Sequence, residues 1–230
     1  MLPGLGGMLA GLGRQPVELV ASSIDTTDRS GSYTFAGLNF GEDFTGRTLV
    51  AVVTLFATGN VILDQTSVTI GGSAAAGNDN GDAGGGAPNG TAGVGIWAAK
   101  PSGTSGSIVV NFTSGTAGTC AVWVFAVTDV ASTTTSSTLQ ISSASGYTSG
   151  ASGTLNIPAN GTQFTVVVRA NNTGAITLSG ATERIQTTIE TVHRVAIGYD
   201  YRMAAETGRT VGFTTGSANV VFALRVATYV

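Results

Sequence analysis

The chain has 230 residues, 42% of them hydrophobic and only 10% charged, with 34 glycines and a single lysine, Lys100. A net charge of −3, one Cys and one His leave no basic surface for nucleic acid, no Cys/His zinc site and no disulfide framework. No apolar run reaches the ~20 residues of a membrane span, and recurrent β-branched runs argue against disorder.

In chain order, Met1 to Gly13 comes first. It holds five glycines, a proline, four leucines, two methionines and no charge. The glycines break up any continuous apolar stretch, and no Lys or Arg precedes it, so it does not read as a secretion signal. Leu2, Leu5, Leu9 and Leu12 are spaced 3, 4, 3, which would line one face of a helix. Each glycine weakens such a helix by ~1 kcal/mol relative to Ala, so the segment frays unless something orders it. Ordering its residues costs roughly 1–2 kcal/mol each. Burying its leucines and methionines returns roughly 1.5–3 kcal/mol each. The two sums nearly cancel, so the segment needs a shaped groove. It reads as a docking peptide, residues 1–13, with Leu2, Leu5, Met8, Leu9 and Leu12 as the contact residues.

From Arg14 onward the pattern is strand, turn, strand. Val17 to Ser23, Ser32 to Phe35, Arg47 to Ala57 and Ser67 to Ile70 are the first predicted strands. Arg47 to Ala57 (RTLVAVVTLFA) is apolar on both faces, as in a central strand. Ser73 to Ala92 carries no apolar run and reads as a polar surface loop. Within it Asn78, Asn80 and Asp82 have the spacing that opens a calcium loop, but the acidic remainder is missing, so no metal is expected there. Asn78, Asp79, Asn80 and Asp82 are instead candidate contact residues. Gly93 to Lys100, Ser107 to Thr113 and Thr119 to Asp129 are the next strands. Residues 131–153 are rich in Ser, Thr and Gly, with one strand near Leu139 to Ile141. They form either a linker or a surface crossover. Gln163 to Ala170, Ala175 to Leu178, Arg194 to Met203, Thr210 to Thr214 and Asn219 to Val230 complete the set. No segment has helical period with caps.

The second half echoes the first. TLVAVVTLFATGN…SVTIGG is answered by QFTVVVRANNTGAITLSG, and GVGIWAAK…CAVWVFAV by VAIGYDYRM…VVFALRV. The expected fold is all-β: a large antiparallel, jelly-roll-like β-sandwich over residues 14–230, with pseudo-repeat halves at 14–130 and 147–230. Two arrangements fit, tandem sandwiches or one two-sheet sandwich of twelve to fourteen strands, and the second is favoured.

The chemistry is sparse. His193 could pair with a Ser and an Asp, but no nucleophile elbow is present. Cys120 opens a strand that reads as buried. The acids are scattered, with no placed pair for glycoside hydrolysis. Trp97, Tyr199 and Tyr201 could stack on sugar, although their apolar neighbours favour packing. No catalytic residue, cofactor or metal is expected.

MLPGLGGMLAG resembles the short N-terminal peptide of many minor virion proteins of tailed bacteriophages. SYTFAGLNFG, RTLVAVVTLF, VTIGG, GIWAAKPSGTSGSIVVNF and TLNIPANGTQFTVVV resemble a β-sandwich type common in phage tail and head-appendage proteins. The resemblance implies a virion structural protein: a tail or head fibre, a tail tip or a capsid decoration protein. It implies other virion proteins as partners, no nucleic acid and no membrane. It also implies a homo-oligomer, a trimer being favoured, since symmetric assembly covers weakly polar faces. The alternative is a lectin-like carbohydrate-binding module that attaches to a host-surface glycan. A lectin exposes Trp or Tyr in a concave patch, whereas a structural subunit buries them.

Overall fold

A strand buried on both faces needs cover on both sides, and five strands here meet that description along their whole length. They are β3 (Thr48–Ala57), β8 (Thr91–Ala99), β10 (Thr119–Val127), β13 (Gly161–Ala170) and β18 (Val221–Tyr229), each buried at every residue. A two-layer sandwich covers only one face of each sheet. The favoured two-sheet arrangement therefore gives way to a stack of four sheets. The computed structural model describes residues 15–57, 61, 63–79, 83–84, 90–113, 115–143, 149–170, 173–216 and 221–230.

The remaining strands of the first half are β1 (Val17–Asp25), β2 (Ser32–Asn39), β4 (Gln65–Ile70), β5 (Ser73–Ala74), β6 (Ala76–Asp79), β7 (Ala83–Gly84) and β9 (Ser105–Phe112). Those of the second half are β11 (Ser137–Ser143), β12 (Gly150–Ile157), β14 (Ile176–Ser179), β15 (Glu183–Ile189), β16 (His193–Met203) and β17 (Glu206–Thr215). Outer sheet I has the order β2-β9-β4-β5, and inner sheet II the order β1-β10-β3-β8-β6, with β7 also pairing β8. Inner sheet III runs β11-β18-β13-β16-β15, and outer sheet IV runs β12-β17-β14. All the pairings are antiparallel.

The two halves share one plan. Replacing β1, β10, β3, β8 and β6 by β11, β18, β13, β16 and β15 turns sheet II into sheet III. Replacing β2, β9 and β4 by β12, β17 and β14 turns sheet I into sheet IV. The echoed segments of the sequence are β3–β4 against β13–β14 and β8–β10 against β16–β18. The first half adds β5 and β7.

Three apolar layers hold the stack. Tyr33, Phe35, Val53, Leu55, Ile108 and Val122 fill the space between sheets I and II. Leu155, Val167, Phe213, Phe222 and Leu224 fill that between III and IV. The central seam joins II to III through Val50, Val52, Val94, Ile96 and Phe125 against Phe164, Val166, Val195 and Ile197. Ala92 and Ala98 of β8 and Ala223 and Ala227 of β18 face this seam. Such small side chains let β8 and β18 approach with Cα atoms within 8 Å, closer than the usual ~10 Å between stacked sheets.

The differences from the predicted elements have local causes. β2 continues past Phe35 because Gly37, at φ 66°, allows a bulge before Leu38 rejoins β9. The segment 73–92 is not wholly loop: β5, β6 and β7 form in it, and Thr91 and Ala92 already belong to the buried start of β8. In the Ser/Thr/Gly-rich stretch, β11 and the start of β12 form sheet edges.

Candidate functional site

The side chains able to carry chemistry are mostly inside. His193 starts β16 and faces the seam, 4% exposed. Its ring stacks on Phe56 with centroids 4.1 Å apart and planes 12° apart. Burial lowers its pKa from 6.5 to about 4, so the imidazole is neutral at pH 7. Cys120 faces sheet I, fully buried, and burial pushes its thiol well up. It is a packing residue and holds no thiolate.

The aromatic residues follow the same rule. Trp97 lies between sheets I and II, where its Nε1–H donates to Gln65 Oε1 at 2.8 Å. Its indole lies across Gly77 and Gly95, where any Cβ would run into it or into Gln65. Trp123 is buried in the seam. The Tyr33 hydroxyl lies 2.7 Å from the Ala117 carbonyl and 2.9 Å from that of Thr27. Tyr199 and Tyr201 are half-buried at the margin of the seam. Arg184 and Arg202 lie over their rings at 5.0 and 5.5 Å.

A polar depression of about 610 Å³ opens where β16 turns into β17, beside Gly180–Thr182. There Thr182 Oγ1 donates to Asp200 Oδ1 at 2.6 Å. Arg209 bridges Asp200 at 3.5 Å and Glu206 at 2.8 Å, and donates from Nε to the Gly180 carbonyl. Both carboxylates are thus committed to one guanidinium. The depression offers hydrogen-bonding groups but is lined by no aromatic ring. Among the described residues no three His, Cys, Asp or Glu side chains gather as metal ligands.

A second opening has the opposite character. It lies between β1, the edge of sheet II, and β15, the edge of sheet III, and measures about 490 Å³. Leu19, Ser22, Ser23 and Ile24 form one wall, Ile185 and Thr187 the other, and Trp123 the floor. Leu19 and Ile24 are 43% and 50% exposed, two of the three exposed large hydrophobic residues among those described. The sequence pattern missed this groove. Its signal is the break in alternation after Leu19, where β1 bulges and brings Leu19, Ser22 and Ile24 to the seam side.

Of the predicted contact residues, Asn78 and Asp79 lie on β6 opposite Ile96 and Gly95. Asn80 and Asp82 lie outside the described residues, as do Leu2, Leu5, Met8, Leu9 and Leu12. No protein-family model matches the chain, and no curated protein matches its sequence.

Proposed function

We propose that the chain is a non-enzymatic structural subunit of a phage virion, of fibre, tail-tip or decoration type, attached through its apolar N-terminal peptide. The observation that carries this reading is the burial of both tryptophans: Trp97 is 7% exposed and Trp123 5%. Rings spent on packing are unavailable for stacking on sugar, which weighs against the lectin-like alternative. The neutral, buried His193 and the buried Cys120 thiol fit a scaffold, since a catalytic role for either would require it to reach a substrate. Two sandwich halves fused through an apolar seam give a stiff body with few charges, suited to a repeated assembly. The chain's place is then on the particle, among other virion proteins and further copies of itself. The test is quantitative mass spectrometry of density-purified particles of the virus that encodes the chain. A constant copy number per particle is the expected result. Recovery only in the unassembled fraction refutes the proposal.

A further inference from the structure

Sheets II and III meet along two edges, and the shared plan of the halves makes those edges equivalent. β6 corresponds to β15 and β11 to β1, so the edge formed by β6 and β11 is the counterpart of the edge formed by β15 and β1. The chain treats the two differently. At the first, the Ala/Gly-rich insertion supplies β7, which pairs with β8 and comes within 8 Å of β11 and β18. At the second nothing among the described residues is inserted, and the groove of Leu19, Ile24, Trp123 and Ile185 stays open.

We propose that this groove is the seat of the chain's own N-terminal segment, residues 2–12. Three observations point to that occupant. The described chain begins at Gln15, two residues ahead of β1, so the segment is tethered to the strand that forms one wall. Pro16 fixes the tether by accepting a hydrogen bond from Thr128 N–H at 3.0 Å. Groove and segment match in kind: no charged residue lines the groove, and Met1 to Gly13 carries none. They also match in length. Coiled into helical turns, residues 2–12 span about 16 Å, and β1 from Leu19 to Ile24 runs about 17 Å. The 3, 4, 3 spacing then aims Leu2, Leu5, Leu9 and Leu12 at one face, the anchor pattern of a helix laid in a groove. Segment 2–12 thus covers the open edge as β7 covers the other. A partner on the particle must draw the segment out of this seat, which keeps its leucines covered in the free subunit.

Hydrogen exchange on the isolated full-length chain tests the seat separately from attachment to any particle. Deleting residues 1–13 is expected to speed exchange in β1 and β15 about tenfold or more while β13, at the centre of sheet III, is unchanged. The double variant Leu5→Ser/Leu9→Ser keeps the chain length and should reproduce the effect. Protection should be the same after dilution. Unchanged exchange at β1 and β15 in both variants overturns the proposal. Protection that falls on dilution overturns it too, because the occupant is then a second copy.

Discussion

Mild acid should destabilise the protein through one side chain. His193 is held neutral in the seam by burial, with a pKa of about 4 against 6.5 for the free side chain. The unfolded chain therefore binds a proton below pH 6.5 that the folded chain refuses until about pH 4. Stability falls as pH falls through that window, because the unfolded state binds more protons there. The gap of 6.5 minus 4, at about 1.4 kcal/mol per pH unit, amounts to about 3 kcal/mol. Phe56 is uncharged. Glu190, in the preceding turn, accepts a hydrogen bond from Thr119 Oγ1. Arg194 points to the other face of sheet III, toward Gln186 and Thr188. Asp25 titrates below its ordinary 3.8: slight burial raises its pKa, but the hydrogen bonds from Thr27 and Arg29 outweigh it. Urea unfolding at pH 7, 5.5 and 4.5, followed by tryptophan fluorescence, measures the effect. His193→Phe keeps a ring against Phe56 and should flatten the profile between pH 6.5 and 4. Parallel profiles for the two proteins, or a wild type that gains stability in acid, would refute the assignment.

Three further outcomes follow from named contacts. Arg47, 1% exposed at its side chain, donates to the carbonyls of Phe40, Glu42, Pro101 and Gly103; Arg47→Met should cost about 3 kcal/mol or more in urea unfolding, because four carbonyls lose one donor group, and Lys should rescue only part of it. The Tyr229 hydroxyl is buried in the seam with no hydrogen-bond partner among the described residues; Tyr229→Phe should leave the melting temperature unchanged or raise stability by up to ~1 kcal/mol. Phe125 of sheet II meets Phe164 of sheet III at 5.4 Å; a double-mutant cycle to Leu should give a coupling of about 0.5–1.5 kcal/mol, and no coupling would deny that the halves pack through these rings.

How much was legible in the sequence depended on where a strand sits. β3, β8, β10, β13 and β18 announce themselves as runs rich in β-branched and apolar residues. The four-layer stack is not read from them, since the sequence pattern favours a single two-sheet sandwich and only the burial of both faces of these strands shows the extra layers. β15 (ERIQTTI) escaped notice: as an edge strand its residues are largely half-buried or exposed, so hydropathy does not separate it from a loop. β12 hid behind serines and glycines, and Gly153 sits under the side-chain tips of Leu139 and Ile141, which a Cβ there would have to displace. His193 was legible as the start of a strand, but its burial was not. The hairpin turn before it uses Glu190 and Thr191 at φ 49° and 62°, a conformation usually given to Asn or Gly. The groove at β1 arises from a bulge, and a bulge shifts the facing of residues without changing their composition.

The most direct test of the account is occupancy on the particle. Particles lacking the chain, mixed with the full-length protein or with residues 14–230, should bind the first and not the second, while both proteins unfold cooperatively in urea. Equal occupancy by the truncated protein would contradict the claim that the N-terminal peptide holds this subunit in place.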